Sequence, residues 1–366
     1  GQGEGMDARE IADRRLAALG LTGDGRTGPA DVVSGLVAVQ SQDYGMAKWS
    51  VGQRSRTTAT EVEDLVNDAT VIRTHVLRPT WHFVHRTDLR WLLALTGPRV
   101  QVALSSACDR LGLDQPMRER STDAFAAALR GGSHLTRTEL TAVAAETGVV
   151  TDGIGFGHLL MHAELEAVIC SGPRRGKVAT YALVDERVGP SPGRSRSDAA
   201  VELAVRYVAS HGPATVADFC WWSSLTVAEA RGALAAAGDQ LETLQAGTRT
   251  YWVARGAAPP GPARTVHLLQ RFDEFIVGYR ESRDVVDTEG AGHVTGPDWG
   301  RDGNPVVVGG QVVGLWRRTT NGNAVTVEIT VPVTVRAPDR DRLGAAAAAL
   351  GQHMGRAVTL AFDSSG

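Results

Sequence analysis

One arrangement recurs along this chain and constrains its fold more than any single motif. DAFAAALRGG, LTRTELTAVAAETG and GHLLMHAELEAVICSG, starting near Ser121, carry apolar residues at helical spacing. The basic turn PRRGK follows, and VATYALVDE then reads as a strand. The polar, Pro/Gly-rich stretch GPSPGRSRSD is a linker. Beyond it the order repeats: AAVELAVRYVASHG, PATVADFCWWSS and TVAEARGALAAAG predict three helices, and LETLQAGTRTYWV predicts a hairpin. Helices followed by a hairpin, twice over, is the winged-helix order, repeated in architecture rather than in sequence.

The flanks extend this pattern. Helices are expected from Ala8 to Leu19, from near Asp31, and over TATEVEDLVNDAT, the last with Thr60 as N-cap and Glu63 three residues on. THVLRPTWHFVH alternates, with Leu77, Trp81 and Phe83 on one side and Arg78, Thr80 and His82 on the other. It supplies the hairpin of a looser first copy, and Thr87 and Asp88 open a helix in DLRWLLALTG. After PPGP, the stretches HLLQRFDEFIVGYR, PVVVGGQVVGLWRR and AVTVEITVPV are strand-rich, and RDRLGAAAAALGQHM is a helix. The expected fold is therefore α+β. Three tandem winged-helix units cover 6–118, 119–190 and 191–260, and a small β-barrel-like domain covers 261–366.

Composition limits the function. The 366 residues carry 38 basic and 41 acidic side chains, a net charge of −3. A dedicated DNA-coating protein would be basic, so a nucleic-acid surface here must come from local patches. No apolar run approaches the ~18–20 residues of a membrane span. Cys108, Cys170 and Cys220 are far apart and odd in number, which excludes a disulfide framework and a CxxC metal site and suits a reducing cytoplasm. The histidines form no HExxH, and neither a metal nor a cofactor is expected. The opening GQGEG reads as a tail before Met6. Lys48 and Lys177 are the only lysines, so few amines exist for Schiff-base chemistry.

The candidate site residues fall into four groups. Gln40 and Gln42 in AVQSQDYGMAKW can share a target only if the chain leaves the helix there and extends; on a helix they would diverge. The alternative is that Gln40 caps a helix and Gln42 is simply exposed. Asp43-Tyr44-Gly45 favours a helix end or turn, with Lys48 and Trp49 close behind. Arg78 and His82 belong to a polar strand row that is either functional or an exposed face. Arg174, Arg175 and Lys177 sit on the basic turn, and Arg317 and Arg318 follow a Gly309-Gly310 turn suited to type I′ geometry. All five could touch phosphate or be merely solvated. Trp221-Trp222 is expected to pack a core or an interface.

QSQDYGMAKWS, RPTWHFV, HGPATVADFCWWSSL and LLQRFDEFIVGYR resemble, in order and over nearly the whole chain, the AlkZ-like winged-helix DNA glycosylases. The Gln40-Ser41-Gln42 spacing is similar to the QxQ branch of that family. The resemblance implies tandem winged helices followed by a β-barrel, and a monomer without cofactor acting on double-stranded DNA. It implies monofunctional excision of N7-alkylated purines, unhooking of interstrand crosslinks, and self-resistance to a DNA-alkylating antibiotic. Gln40 and Gln42 would then be the catalytic pair. Tyr44, Lys48, Trp49, Arg78, His82, Arg174, Arg175, Lys177, Arg317 and Arg318 would lie on the DNA or substrate side. The rival function is a non-enzymatic winged-helix regulator that binds DNA or a drug.

Overall fold

The computed structural model describes residues 6–23, 27–257, 264–290, 294, 303–331 and 336–362. The GQGEG tail and the PPGP boundary lie outside them. Along the chain the first elements are α1 (Ala8–Ala18), α2 (Pro29–Leu36), β1 (Ala38–Gln40), α3 (Tyr44–Ser55), α4 (Ala59–Asn67), β2 (Val71–Val76), β3 (Arg78–His85) and α5 (Leu89–Arg110). Next come α6 (Gln115–Leu129), β4 (Leu135–Thr136), α7 (Arg137–Glu146), α8 (Gly153–Leu165), β5 (Ile169–Ser171), β6 (Thr180–Leu183) and α9 (Val184–Arg187). Then follow α10 (Arg196–His211), α11 (Val216–Ser223), α12 (Val227–Ala236), β7 (Leu241–Ala246) and β8 (Arg249–Ala254). The C-terminal elements are β9 (Val266–Leu268), α13 (Glu274–Val277), β10 (Asn304–Val308), β11 (Gln311–Asn321), β12 (Ala324–Thr330), α14 (Ala337–Met354) and β13 (Ala357–Phe362). Among the described residues no helix is long and apolar enough to cross a membrane.

The chain divides into two compact units. One comprises 1–62, 201–222 and 226–366; the other comprises 63–200 and 223–225. The mixed α+β content agrees with the sequence reading. In the first unit, β13-β12-β11-β10-β9 form a curled half-barrel sheet, antiparallel except for the β12–β13 pair. Gly309 and Gly310, at φ 54° and 72°, close β10 onto β11 as a two-residue turn. This conformation needs positive φ at both central positions, which glycine adopts without a Cβ clash. Trp316, Val325, Val327 and Ile329 point into a core that Leu343 and Leu350 of α14 cover.

The second unit has its own core of Phe125, Leu129, Leu140, Phe156, Leu159 and Ile169. Within it β4-β6-β5 form a small sheet, and α6, β4, α7, α8, β5 and β6 follow one another in that order. Helix α7 opens with a capping box between Thr136 and Glu139. β2 and β3 pair antiparallel, and the chain reverses at Leu77, whose φ is 65°.

Several boundaries differ from expectation. The capping box ahead of α4 uses Thr58 and Glu61, not Thr60 and Glu63. Both pairs fit the same four-residue pattern, and Glu63 instead faces Arg174 at 3.7 Å. Asp43-Tyr44-Gly45 opens a helix rather than ending one, because the Asp43 carboxylate accepts from the Met46 N–H at 3.0 Å. DLRWLLALTG runs on through Pro98 to Arg110. Only the first two residues of HLLQRFDEFIVGYR are strand, as the end of Val266–Leu268, and Asp273 caps the short helix that follows.

Candidate active site

The segment around the two glutamines is extended between two helices. α2 stops at Leu36, and Val37 turns the chain with φ 68°, a conformation that β-branched residues seldom adopt. β1 follows, and then Asp43 starts α3 with φ −93° and ψ 102°. The helix thus ends before Gln40, as a shared target for the two carboxamides requires. Gln40 is only 6% exposed and Ser41 fully buried, whereas Gln42 stands at the surface.

The main chain at Gln40 is gripped on both sides. Its N–H donates to Glu274 Oε1 at 3.0 Å, and its carbonyl accepts from Gln270 Nε2 at 3.2 Å. Glu274 Oε2 also accepts from Trp222 Nε1 at 2.9 Å and faces His211 Nε2 at 3.2 Å. Next to it, Asp273 takes two bonds from Arg54 of α3, at 2.9 and 2.7 Å, and one from Ser50 at 2.7 Å. Arg54, Asp273, Glu274, His211 and Trp222 are all at most 1% exposed. Buried charges survive only when paired and hydrogen-bonded, and these are.

Positive charge gathers over the first turn of α3. Lys48 Nζ lies 5.2 Å from the Tyr44 ring centroid. The Arg318 guanidinium packs against Gly45 so closely that a side-chain carbon there would sit 3.3 Å from its Nη2. His353 of α14 lies further along α3: its Nδ1 meets the Thr57 carbonyl at 2.7 Å and its ring lies edge-on to Trp49. Burial holds His353 below the usual imidazole value, and the charges of Lys48 and Arg318 add to that effect. A neutral imidazole beside two cations leaves the positive charge on Lys48 and Arg318.

Comparison with known proteins decides the family. The model of the AlkZ-like DNA glycosylases matches residues 33–353, from within α2 to the end of α14. The chain belongs to the AlkZ-like DNA glycosylase family. An interstrand DNA cross-link repair glycosylase from Streptomyces sahachiroi is 28% identical over 333 residues, covering 86% of this chain and 88% of that protein. The structure of the Streptomyces sahachiroi DNA glycosylase AlkZ matches with a TM-score of 0.81 and 24% identity, over 98% of this chain and all of the other. The fold is shared, and this AlkZ-like chain is an enzyme rather than a non-enzymatic regulator.

Other sequence candidates in this AlkZ-like glycosylase take different places. Trp49, expected on the DNA side, is 3% exposed and donates from Nε1 to the Leu268 carbonyl, so it serves the core of the C-terminal sheet. Arg78 and His82 are not an exposed row; they are 7% and 0% exposed. Arg78 Nη2 meets His82 Nε2 at 3.3 Å, and His82 Nδ1 meets the Thr80 carbonyl at 2.9 Å. An arginine only donates, so in that contact it is His82 Nε2 that accepts. Arg175 is held by Glu139 at 2.9 Å and Arg174 faces Glu63, while Lys177 is exposed at the turn. Arg317 is exposed on β11 opposite Glu328. Trp222 is buried and Trp221 is 38% exposed beside Arg280.

Sequence reasoning missed Gln270, Asp273 and Glu274. The available signal was FDEF, where two adjacent acids interrupt an apolar run. Such acids must find partners in the interior. Among the described residues no three His, Cys, Asp or Glu side chains gather as metal ligands would.

Proposed function

We propose that this glycosylase excises N7-alkylated purines from duplex DNA and unhooks interstrand crosslinks, with a hydrolytic water positioned by Gln40 and Gln42. The observation that carries this reading is the exposed Gln42 carboxamide, on an extended segment clamped at Gln40 and capped at Asp43, just ahead of the helix turn where Lys48 meets Tyr44 and Arg318 meets Gly45. Alkylation at N7 makes the purine cationic, so the base leaves neutral and needs little acid catalysis. The transition state is oxocarbenium-like, as in glycoside hydrolysis. What remains is to place one water on the far side of C1′, and carboxamide oxygens accept its hydrogens while its lone pair faces the carbon. A crosslinked base cannot be rotated fully out of the duplex, and a surface glutamine suits a lesion that stays near the stack.

Tyr44, Lys48 and Arg318 would face the DNA first. Arg317, Arg174, Arg175 and Lys177 would serve as outlying phosphate contacts. We read the chain as three winged-helix units, 6–118, 119–190 and 191–260, ahead of the C-terminal domain at 261–366. The order α6, β4, α7, α8, β5, β6 supports the second unit, and α10–α12 with the β7–β8 hairpin supports the third. The setting would be the cytoplasm of a producer of a DNA-alkylating antibiotic, with the enzyme as a monomer giving self-resistance. The relative described as a cross-link repair glycosylase supports the crosslink part of this reading.

The test is duplex DNA carrying N7-methylguanine, treated with protein and then with alkali. Alkali-labile breaks are expected, with the rate lowered about 100-fold in Gln40→Ala and Gln42→Ala while DNA binding persists. Absence of breaks with every alkylated purine sinks the proposal. Lys48→Ala should still excise; loss of excision together with a borohydride-trapped adduct in the unmodified protein would make the enzyme a lyase instead.

A further inference from the structure

Beneath the glutamine pair lies a carboxylate to which the proposed reaction assigns no task. We infer that Glu274 is a positioning residue that sets the Gln40 peptide, and through it the aim of both carboxamides; this rests on the reading of Gln40 and Gln42 as the water-positioning pair. Glu274 spends one oxygen on the Gln40 N–H at 3.0 Å and the other on Trp222 Nε1 and His211 Nε2, at 2.9 and 3.2 Å. A hydrogen bond from a peptide N–H to a carboxylate is charge-assisted and stiffer than the neutral bond it replaces. From the opposite side, Gln270 holds the Gln40 carbonyl. Asp43, three residues on, is fixed by the Met46 N–H. The two clamps leave only Ser41, which is buried, and Gln42 between them. The direction in which Gln42 leaves the protein is therefore set largely by where Glu274 holds Gln40. Trp222 and His211 hold the carboxylate in turn; both are fully buried, and His211 is further tied to Ser210 at 2.8 Å.

The anion matters, and not only the shape. A glutamine at 274 fills the same space but has one oxygen and one NH2 group. Turned one way, its NH2 meets the Gln40 N–H; turned the other way, it meets the Trp222 N–H. Either donor–donor clash pushes a partner away, and the first moves the Gln40 peptide itself. A misplacement of about 1 Å in a positioned group costs on the order of 100-fold in rate.

The experiment is single-turnover excision of N7-methylguanine from a duplex by the full chain, with the duplex Kd and a thermal melt measured alongside. Glu274→Gln should slow the excision rate constant roughly 10- to 100-fold and change the Kd by less than about 3-fold. In a Gln40→Ala background the same substitution should cost less than it does alone, because the residue-40 N–H remains and only the aim of Gln42 is left to disturb. Trp222→Phe keeps an aromatic, though smaller, side chain but removes one of the donors to Glu274, and should slow excision several-fold. A merely structural role would lower the melt and the burst amplitude while leaving the rate constant of the folded fraction unchanged, and would overturn the inference. So would fully additive losses in the Glu274→Gln/Gln40→Ala double variant. If Gln40→Ala is slow and Glu274→Gln is normal, Glu274 does not position Gln40, and the glutamine reading stands. If Gln40→Ala is itself normal, the glutamine reading falls first. Should Glu274→Gln not fold, Trp222→Phe decides alone, an unchanged rate constant counting against the proposal.

Discussion

Arg54 and Arg175 each face a carboxylate at hydrogen-bonding distance, 2.7 Å to Asp273 and 2.9 Å to Glu139, in settings that share nothing else. Arg54 and Asp273 are fully buried in the first unit, directly behind the glutamine segment. Arg175 and Glu139 are about half exposed on the second unit, at the basic turn. Burial changes what a charge pair does. An interior pair cannot lose one member without leaving an uncompensated charge, so it fixes geometry. A surface pair can exchange its partner for water or phosphate at little cost. Under the proposed function, the first kind would suit a site whose reacting groups must not drift, and the second a turn that would meet DNA phosphate.

The comparison breaks most decisively at Arg54. Arg54→Met strands Asp273 in the interior and should lower unfolding stability by about 3–5 kcal/mol. Chemical denaturation checks this. Replacing both members, as in Arg54→Met with Asp273→Leu, should recover much of the loss, because two apolar side chains leave no charge behind. A double variant as unstable as the single one would show that geometry rather than charge is at stake.

Next in size is Arg318. It packs on Gly45 and contacts the Met354 sulfur at 3.3 Å, beside Lys48 and His353. Arg318→Ala should weaken duplex binding and reduce the slope of log K against log salt by about 1, the signature of one lost phosphate contact. The melt should hardly move. Arg175→Ala should change the slope less, because Glu139 already neutralises that guanidinium. Equal slopes for the two variants would erase the distinction between the basic sites.

The same distinction explains what could be read from sequence. The Gly309-Gly310 turn, the start of α1 and the helix in RDRLGAAAAALGQHM were legible because their causes lie within a few residues. The extended glutamine segment followed from the spacing only on the condition of a shared target; the spacing alone left a helix cap open. The site's support was not legible. Gln40 and Glu274 are 234 positions apart, and nothing in FDEF says which distant peptide will use its carboxylates. The resemblance and a position close behind the glutamines put Trp49 on the DNA side, whereas tertiary packing puts it in the core. Arg78 and His82 looked like an exposed row because alternation reports one buried face and cannot show that the other is covered too.

The smallest expected effect is at Glu139, and its sign is fixed by linkage. The Thr136 backbone N–H bonded to this carboxylate, with Arg175 and the Thr136 hydroxyl after it, brings its pKa from the usual 4.5 down to about 2. A carboxyl with a depressed folded pKa binds fewer protons when folded than when unfolded. Its contribution is complete above about pH 4.5 and fades as pH falls towards about 2. Glu139→Gln should therefore melt slightly below the unmodified protein at pH 6, and the gap should close by pH 2. The glutamine still offers an oxygen to the Thr136 N–H, so the capping bond survives and only the charge is lost. A gap that persists unchanged at pH 2 would mean that the side chain acts at this turn by shape, and that the surface pair, like the buried one, is a matter of geometry.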